Sequence, residues 1–202
     1  MNDQPHCFTS GPLSSKLDLL SSMIGERIVE MIRYSWLAPE AAVSQYGLSR
    51  GDCFSLTSGP IAIRFANGLI IAFGSEPSLA SVICWTERDL TGRWSNERLD
   101  LDSDLFPVSA TDNRYSTPGI KSVIAEILTG FTIWKRPPVN HLWDELPREV
   151  AIRLVVTNGH DLWLTHGLHN DSDDFSVLEE SRLMEKLRVS LIEPRTVGAV
   201  EA

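Results

Sequence analysis

Little in this chain points to chemistry. Its 202 residues hold three cysteines, Cys7, Cys53 and Cys84, with no Cys-x-x-Cys spacing. That pattern does not suggest a disulfide framework. Bases are scarce: 18 Lys and Arg stand against 27 Asp and Glu, for a net charge of −9. Nucleic acid and anionic membranes both demand clustered cations, so neither is expected as a partner. No stretch approaches the roughly 18–20 apolar residues of a membrane-spanning helix. The start, Met1 to Leu20, lacks the basic-then-apolar order of a signal peptide, so the expected compartment is the cytoplasm. Gly-x-Gly-x-x-Gly, Walker A, Gly-x-Ser-x-Gly and His-Glu-x-x-His runs are all missing. No cofactor, no metal and no enzymatic activity are therefore expected.

What is present is an ordinary globular composition, 43% hydrophobic with six Trp and seven Phe, enough to build a core at this length. Residues 1–13 are polar, carry two prolines and read as a flexible tail; 14–202 reads as a single domain. Leu17, Leu20, Ile24, Ile28 and Met31 recur at spacings of three and four, which predicts a helix over about 16–34. Pro39 opens and Gly47 stops a second helix. Cys53–Thr57, Ile61–Phe65, Leu69–Phe73 and Ser81–Trp85 read as a four-strand meander, with Asn67-Gly68 as a tight hairpin turn. Cys53 and Cys84 then read as small buried hydrophobes. Residues 88–117 form a long polar connection. Thr117-Pro118 opens a helix over about 118–129, and Phe131–Trp134 a short strand. A second hairpin joins Glu149–Val156 to Asp161–Leu164 through Asn158-Gly159. Phe175–Leu178 reads as a strand, and Glu179–Leu191 as a helix. The fold class is α+β: a mostly antiparallel or mixed sheet built from two related Asn-Gly hairpin units, with helices packed on it.

The hairpins echo each other. Ala62-Ile63-Arg64 matches Ala151-Ile152-Arg153, Asn67-Gly68 matches Asn158-Gly159, and Ser81-Val82 matches Ser176-Val177. Two explanations stay open: a duplicated unit, with halves at about 16–117 and 118–192, or convergence on a common strand–turn–strand pattern. Under either, the halves are expected to share one sheet, since two isolated hairpins are only marginally stable.

The richest polar cluster is His160, His166, His169 and Asp171, followed by Asp173 and Asp174. Histidine with carboxylate can hold a divalent metal or serve a hydrolase. The spacing matches no ligand motif, so a solvated loop is the plainer reading. The long connection carries Asp100, Asp102 and Asp104 at alternate positions, and the second acidic run carries Asp171, Asp173 and Asp174. Carboxylates on loops steer basic partners. Trp94 and Trp143 lie in polar stretches, where Trp can anchor an interface. Those eight residues are the candidate partner-binding set.

The runs Phe65-Ala66-Asn67-Gly68-Leu69-Ile70-Ile71-Ala72-Phe73, Ser81-Val82 and Asn170-Asp171-Ser172-Asp173-Asp174-Phe175 resemble small immunity proteins of bacterial polymorphic-toxin and type VI secretion systems. The resemblance covers roughly residues 50–180. It implies a non-enzymatic protein that binds one cognate toxin and blocks its active site. The acidic loops then suggest that this toxin's cleft is basic. A metal-dependent or hydrolytic enzyme built on the histidine cluster, or a structural subunit of a larger assembly, are the alternatives.

Overall fold

The computed structural model describes residues 8–169, 173–183 and 191–198. In chain order the elements are β1 (Gly11–Pro12), α1 (Leu17–Ser21), β2 (Ile28–Ser35), α2 (Pro39–Tyr46), α3 (Cys53–Leu56), β3 (Ile61–Phe65), β4 (Ile70–Glu76), β5 (Ser81–Arg88) and β6 (Phe106–Ser109). They continue with α4 (Pro118–Ser122), β7 (Leu128–Lys135), β8 (Ala151–Val156), β9 (Leu162–His166), β10 (Phe175–Glu179) and β11 (Ile192–Gly198). The fold is α+β, with two antiparallel sheets of order β1-β5-β4-β3-β2-β6 and β10-β9-β8-β7-β11. The expectation that both hairpins share one sheet is thus corrected: each hairpin lies in its own sheet.

Leaving β1 aside, the two sheets have the same connectivity. Three strands follow a first strand as a meander, and a fifth returns to its free side. The hydrogen bonds repeat as well. In both units a tight turn closes identically: Gly68 N–H donates to Phe65 O, and Gly159 N–H to Val156 O. The Asn side chains accept from Leu69 N and from His160 N. A bulge falls at Ile28/Glu30 in β2 and at Leu128/Gly130 in β7. Two sequence pairings need correction. Phe65 and Val156 hold the same place before their turns, so counting back along β3 and β8 the structural counterpart of Ala62 is Arg153, two residues after Ala151. Val82 faces Ser75 and Phe175 faces His166 across their ladders, so the structural counterpart of Val82 is Phe175, two residues before Val177.

The bulges explain the two overlong helices expected from the sequence. α1 ends at Ser21 and α4 at Ser122, and residues 28–34 and 128–129 are strand. A bulge adds one residue, so inward-facing positions run Ile28, Met31 and Leu128, Phe131 rather than every second residue. That spacing of three imitates a helix. The run Cys53–Thr57, expected as a strand, instead turns as α3. Residues 88–117 contain β6, and β11 was not expected. Of Glu179–Leu191, Glu180–Arg182 form a 3-10 turn and 184–190 lie outside the described residues. Residues 8–13, within the expected tail, are docked: Gly11 and Pro12 pair with β5, and Leu13 is fully buried.

The units join by a reciprocal crossing. Gly25 N–H donates to Leu128 O at 2.8 Å, and Ala125 N–H to Ile28 O at 2.8 Å. Ile28 N–H donates to Glu126 O at 2.8 Å, and Leu128 N–H to Glu26 O at 2.9 Å. Each contact is matched by its reverse, the signature of a twofold interface. Gly25 and Ala125 both take positive φ, 86° and 74°, which turns each chain out of its helix and into its strand. Behind the crossing one core cluster draws on both units, with Leu20, Met23, Met31 and Phe65 beside Ile120, Val123, Phe131 and Val156. Cys53 and Cys84 are buried in it as free thiols, as their apolar neighbours suggest.

Arg33 breaks the symmetry. Its side chain is wholly buried in a cage of carbonyls. Nε donates to Phe54 O at 3.0 Å, Nη1 to Gly59 O at 2.6 Å and Nη2 to Ser55 O at 3.1 Å, while the guanidinium lies 5.0 Å over the Phe175 ring. Burial pulls its pKa down to about 9, so it stays charged at neutral pH. Gly59 is required here, because its φ is +123° and a Cβ would sit 2.1 Å from Tyr34 O. Arg33 thus fastens α3 and the following turn to β2 and to β10 of the other unit. Arg33→Ala strands the carbonyls of Phe54, Ser55, Gly59 and Phe175 and is expected to cost about 3–5 kcal/mol. Urea denaturation of the variant checks this; a midpoint equal to that of the parent chain would show that the cage is dispensable.

Candidate functional site

The connection from β5 to β6 must cross the first sheet from one edge to the other. It crosses the outer face, where the sheet offers small residues: Ala62 and Ala72 lie on that face, and the Trp85 ring packs 3.6 Å from where a Cβ of Gly74 would sit. The connection is braced at each step. Ser95 N–H donates to Glu87 O at 2.8 Å. The buried Glu87 carboxylate accepts from Trp85 Nε1 at 3.0 Å and from Leu99 N–H at 2.8 Å. Trp94 is half-buried, with the guanidiniums of Arg98 and Arg88 3.9 Å and 5.7 Å from its ring centre. Asp89 Oδ1 accepts from Thr91 N–H at 2.9 Å and Arg93 N–H at 3.0 Å, which closes the turn that starts the connection. Beneath it, burial foremost and then the charges of Asp100, Glu87 and Glu30 push the Tyr34 hydroxyl up to about 12.

The charges of this segment cancel unevenly. Asp89 pairs with Arg93 at 3.3 Å, and Asp100 with Arg98 at 2.5 Å. Glu97, Asp102 and Asp104 are exposed, and among the described residues no Lys or Arg forms an ion pair with them. Asp102 Oδ1 accepts from Asp104 N–H at 2.9 Å, which holds the Asp102 carboxylate in place. Beside them a groove of about 860 Å³ has Ile83 and Trp85 on its floor. Residues 8–10 line it on one side, and 95–99, Leu101 and Asp102 on the other. Leu101 is 71% exposed at its margin.

The second acidic run lies elsewhere, at the turn from β9 to β10. Asp171 lies outside the described residues. The Asp173 side chain is 80% exposed, 3.7 Å from Nε2 of the buried His166. Nδ1 of that ring meets Ser75 Oγ, on β4 of the other sheet. Asp174 is exposed and, with His169, borders a smaller cavity of about 160 Å³. His160 sits exposed on the Asn158-Gly159 turn. The four residues of the expected histidine site are therefore not assembled where they are described, and no group of three His, Cys, Asp or Glu suited to a metal occurs among the described residues. Ser75 and His166 meet where the two sheets touch, and neither cavity is lined by them. Trp143 is half-buried in a 3-10 turn over His141–Trp143.

Of the eight predicted partner-binding residues, the connection thus gathers Asp100, Asp102, Asp104 and Trp94, while Asp173 and Asp174 sit on another turn. Glu97 and the groove were missed. The Arg98-x-Asp100 spacing was legible as a local ion pair and could have set Asp100 apart. No family model, curated protein or solved structure matches the chain. No helix among the described residues is long and apolar enough to cross a membrane.

Two outcomes follow from this geometry. Burial lowers the pKa of His166, against the opposing pull of Asp173. The unfolded chain therefore takes up its proton first, and stability must fall as pH drops below about 6.5, by up to ~1.4 kcal/mol per pH unit from this group. His169 is lowered for the same reason and adds to the slope. His166→Gln should flatten the profile between about pH 6.5 and 5; unfolding midpoints with an unchanged slope would remove His166 as the source. Trp94→Ala removes both stacked contacts and should loosen the connection by about 1–2 kcal/mol. Amide exchange would then quicken over 89–101 and not in β7–β9, whereas unchanged exchange over 89–101 would mean that Trp94 does not brace it.

Proposed function

We propose that this chain is a non-enzymatic binding protein of the immunity type. In this reading it occupies the basic active-site cleft of a cognate toxin in the cytoplasm. The observation that carries it is the set of three uncompensated carboxylates, Glu97, Asp102 and Asp104, on a connection held rigidly against the sheet. A surface intended only for solubility has no need of a braced backbone. Preorganised charges, by contrast, lose little entropy on binding and draw a basic partner in quickly. The net charge of −9 acts in the same sense at longer range. The acid-rich turn at Asp173 and Asp174 could extend the field but is not braced to the same surface.

The test is a titration against the product of the adjacent gene, with purified partners. Affinity should fall as salt rises from about 50 to about 300 mM. The combined substitution Glu97→Gln, Asp102→Asn and Asp104→Asn should weaken binding by about 10- to 100-fold with an unchanged unfolding midpoint. No complex at moderate salt, or full affinity in the triple variant, would refute the assignment.

A further inference from the structure

Charge alone does not account for the groove beside those carboxylates. Its floor is apolar, made by Ile83 and Trp85 on the outer face of β5, and Leu99 and Leu101 stand on its margin. At about 860 Å³ it lies within the range of sites that enclose a substantial ligand. The edge of β5 beside it is already taken. Gly11 and Pro12 pair with Cys84 and Ile83, Ser95 N–H bonds to Glu87 O, and Trp94 bridges to Arg88. A ligand cannot therefore add itself as a strand to β5. It must be recognised through its side chains.

We infer that the groove receives a short basic segment of the protein partner, seating one of its apolar side chains on Ile83 and Trp85 while flanking Lys or Arg residues reach Glu97 and Asp102. This rests on the reading of the chain as a toxin-binding protein and names the chemistry of the contact. Charge complementarity selects the occupant. Glu97 and Asp102, which both line the groove, are exposed and have no Lys or Arg ion-pair partner among the described residues. Arg98, the one base among the described residues that line the groove, is held by Asp100 through Nε at 2.9 Å and Nη2 at 2.5 Å. An anionic ligand would meet two free carboxylates and a neutralised arginine. A purely cationic one would leave the apolar floor unused. A segment that is basic with one apolar residue matches both features, as interface anchors in partly desolvated pockets do.

The experiment uses the full chain and two fluorescent pentapeptides, Lys-Lys-Leu-Lys-Lys and Lys-Lys-Gly-Lys-Lys, with anisotropy as the readout. The leucine peptide should bind about tenfold more tightly, the effect of burying one such side chain. Asn96→Trp places a large ring at the exposed lining of the groove and should abolish that preference while leaving the weak glycine-peptide binding intact. Glu97→Gln with Asp102→Asn should weaken both peptides alike. Equal affinity of the two peptides for the parent chain, or a preference that survives Asn96→Trp, would overturn the inference. If the peptides fail in this way while the toxin still binds with salt-sensitive affinity, the groove assignment falls and the binding function stands. If the toxin does not bind either, the functional reading itself is lost.

Discussion

Four backbone hydrogen bonds between residues 25–28 and 125–128 hold the architecture together. They are few, but they are reciprocal, and they sit where each unit turns from helix to strand. Without them each sheet would present an apolar inner face to water. With them the inner faces meet as one core, and Leu20, Met23 and Ile28 find partners in Ile120, Val123 and Leu128. The cooperative gain is hydrophobic, and the crossing sets its geometry. The positive φ at Gly25 and Ala125 is the local condition for it. An alanine in that conformation is strained by about 1 kcal/mol or more, so position 125 is maintained against a local cost by the packing around it.

On this repeated frame the two units carry different loads. Trp85 lies on β5 opposite Ala72, whereas in the second unit Trp163 lies on β9 opposite Leu178. The large side chain has changed strands, and the outer faces differ in consequence. Trp163 stacks 5.7 Å from Trp134 and packs with Leu178 and Leu183, giving the second unit a small outer cluster of its own. The outer face of the first unit is instead overlaid by the long connection and its groove. Arg33 has no equivalent either, since position 133 is Ile. The frame is symmetric in its hydrogen bonds and asymmetric in everything that faces solvent or a partner.

Much of the strand pattern was legible because its signals are local. Gly68 and Gly159 supply the positive φ that each tight turn needs, and the alternating runs on either side can do little but pair. Pro39 and Gly47 bounded α2 for equally local reasons. The misreadings share a cause of the opposite kind. The helix expected over 16–34 and that over 118–129 both took bulged strands for helix, because a bulge is a property of a ladder and the partner strand is distant in sequence. Cys53–Leu56 reads as a strand by composition. It turns as helix because Arg33, twenty residues away, takes up the carbonyls of Phe54 and Ser55.

The acidic surface divides in the same way. From sequence alone, Asp100, Asp102 and Asp104 are equivalent members of an alternating run, and a Trp in a polar stretch is a candidate anchor. Tertiary structure separates them. Asp100 pairs with Arg98, Trp94 packs against Arg98 and Arg88, and Glu97, which no pattern marked, joins Asp102 at the groove. The sequence by itself determined the fold class, the two hairpins and the excess of negative charge, since each depends on residue type and near-neighbour spacing. Only the tertiary structure decided that the hairpins build separate sheets, and which of the carboxylates remain uncompensated. Those outcomes depend on which distant groups meet across a shared core, and spacing along the chain does not carry that information.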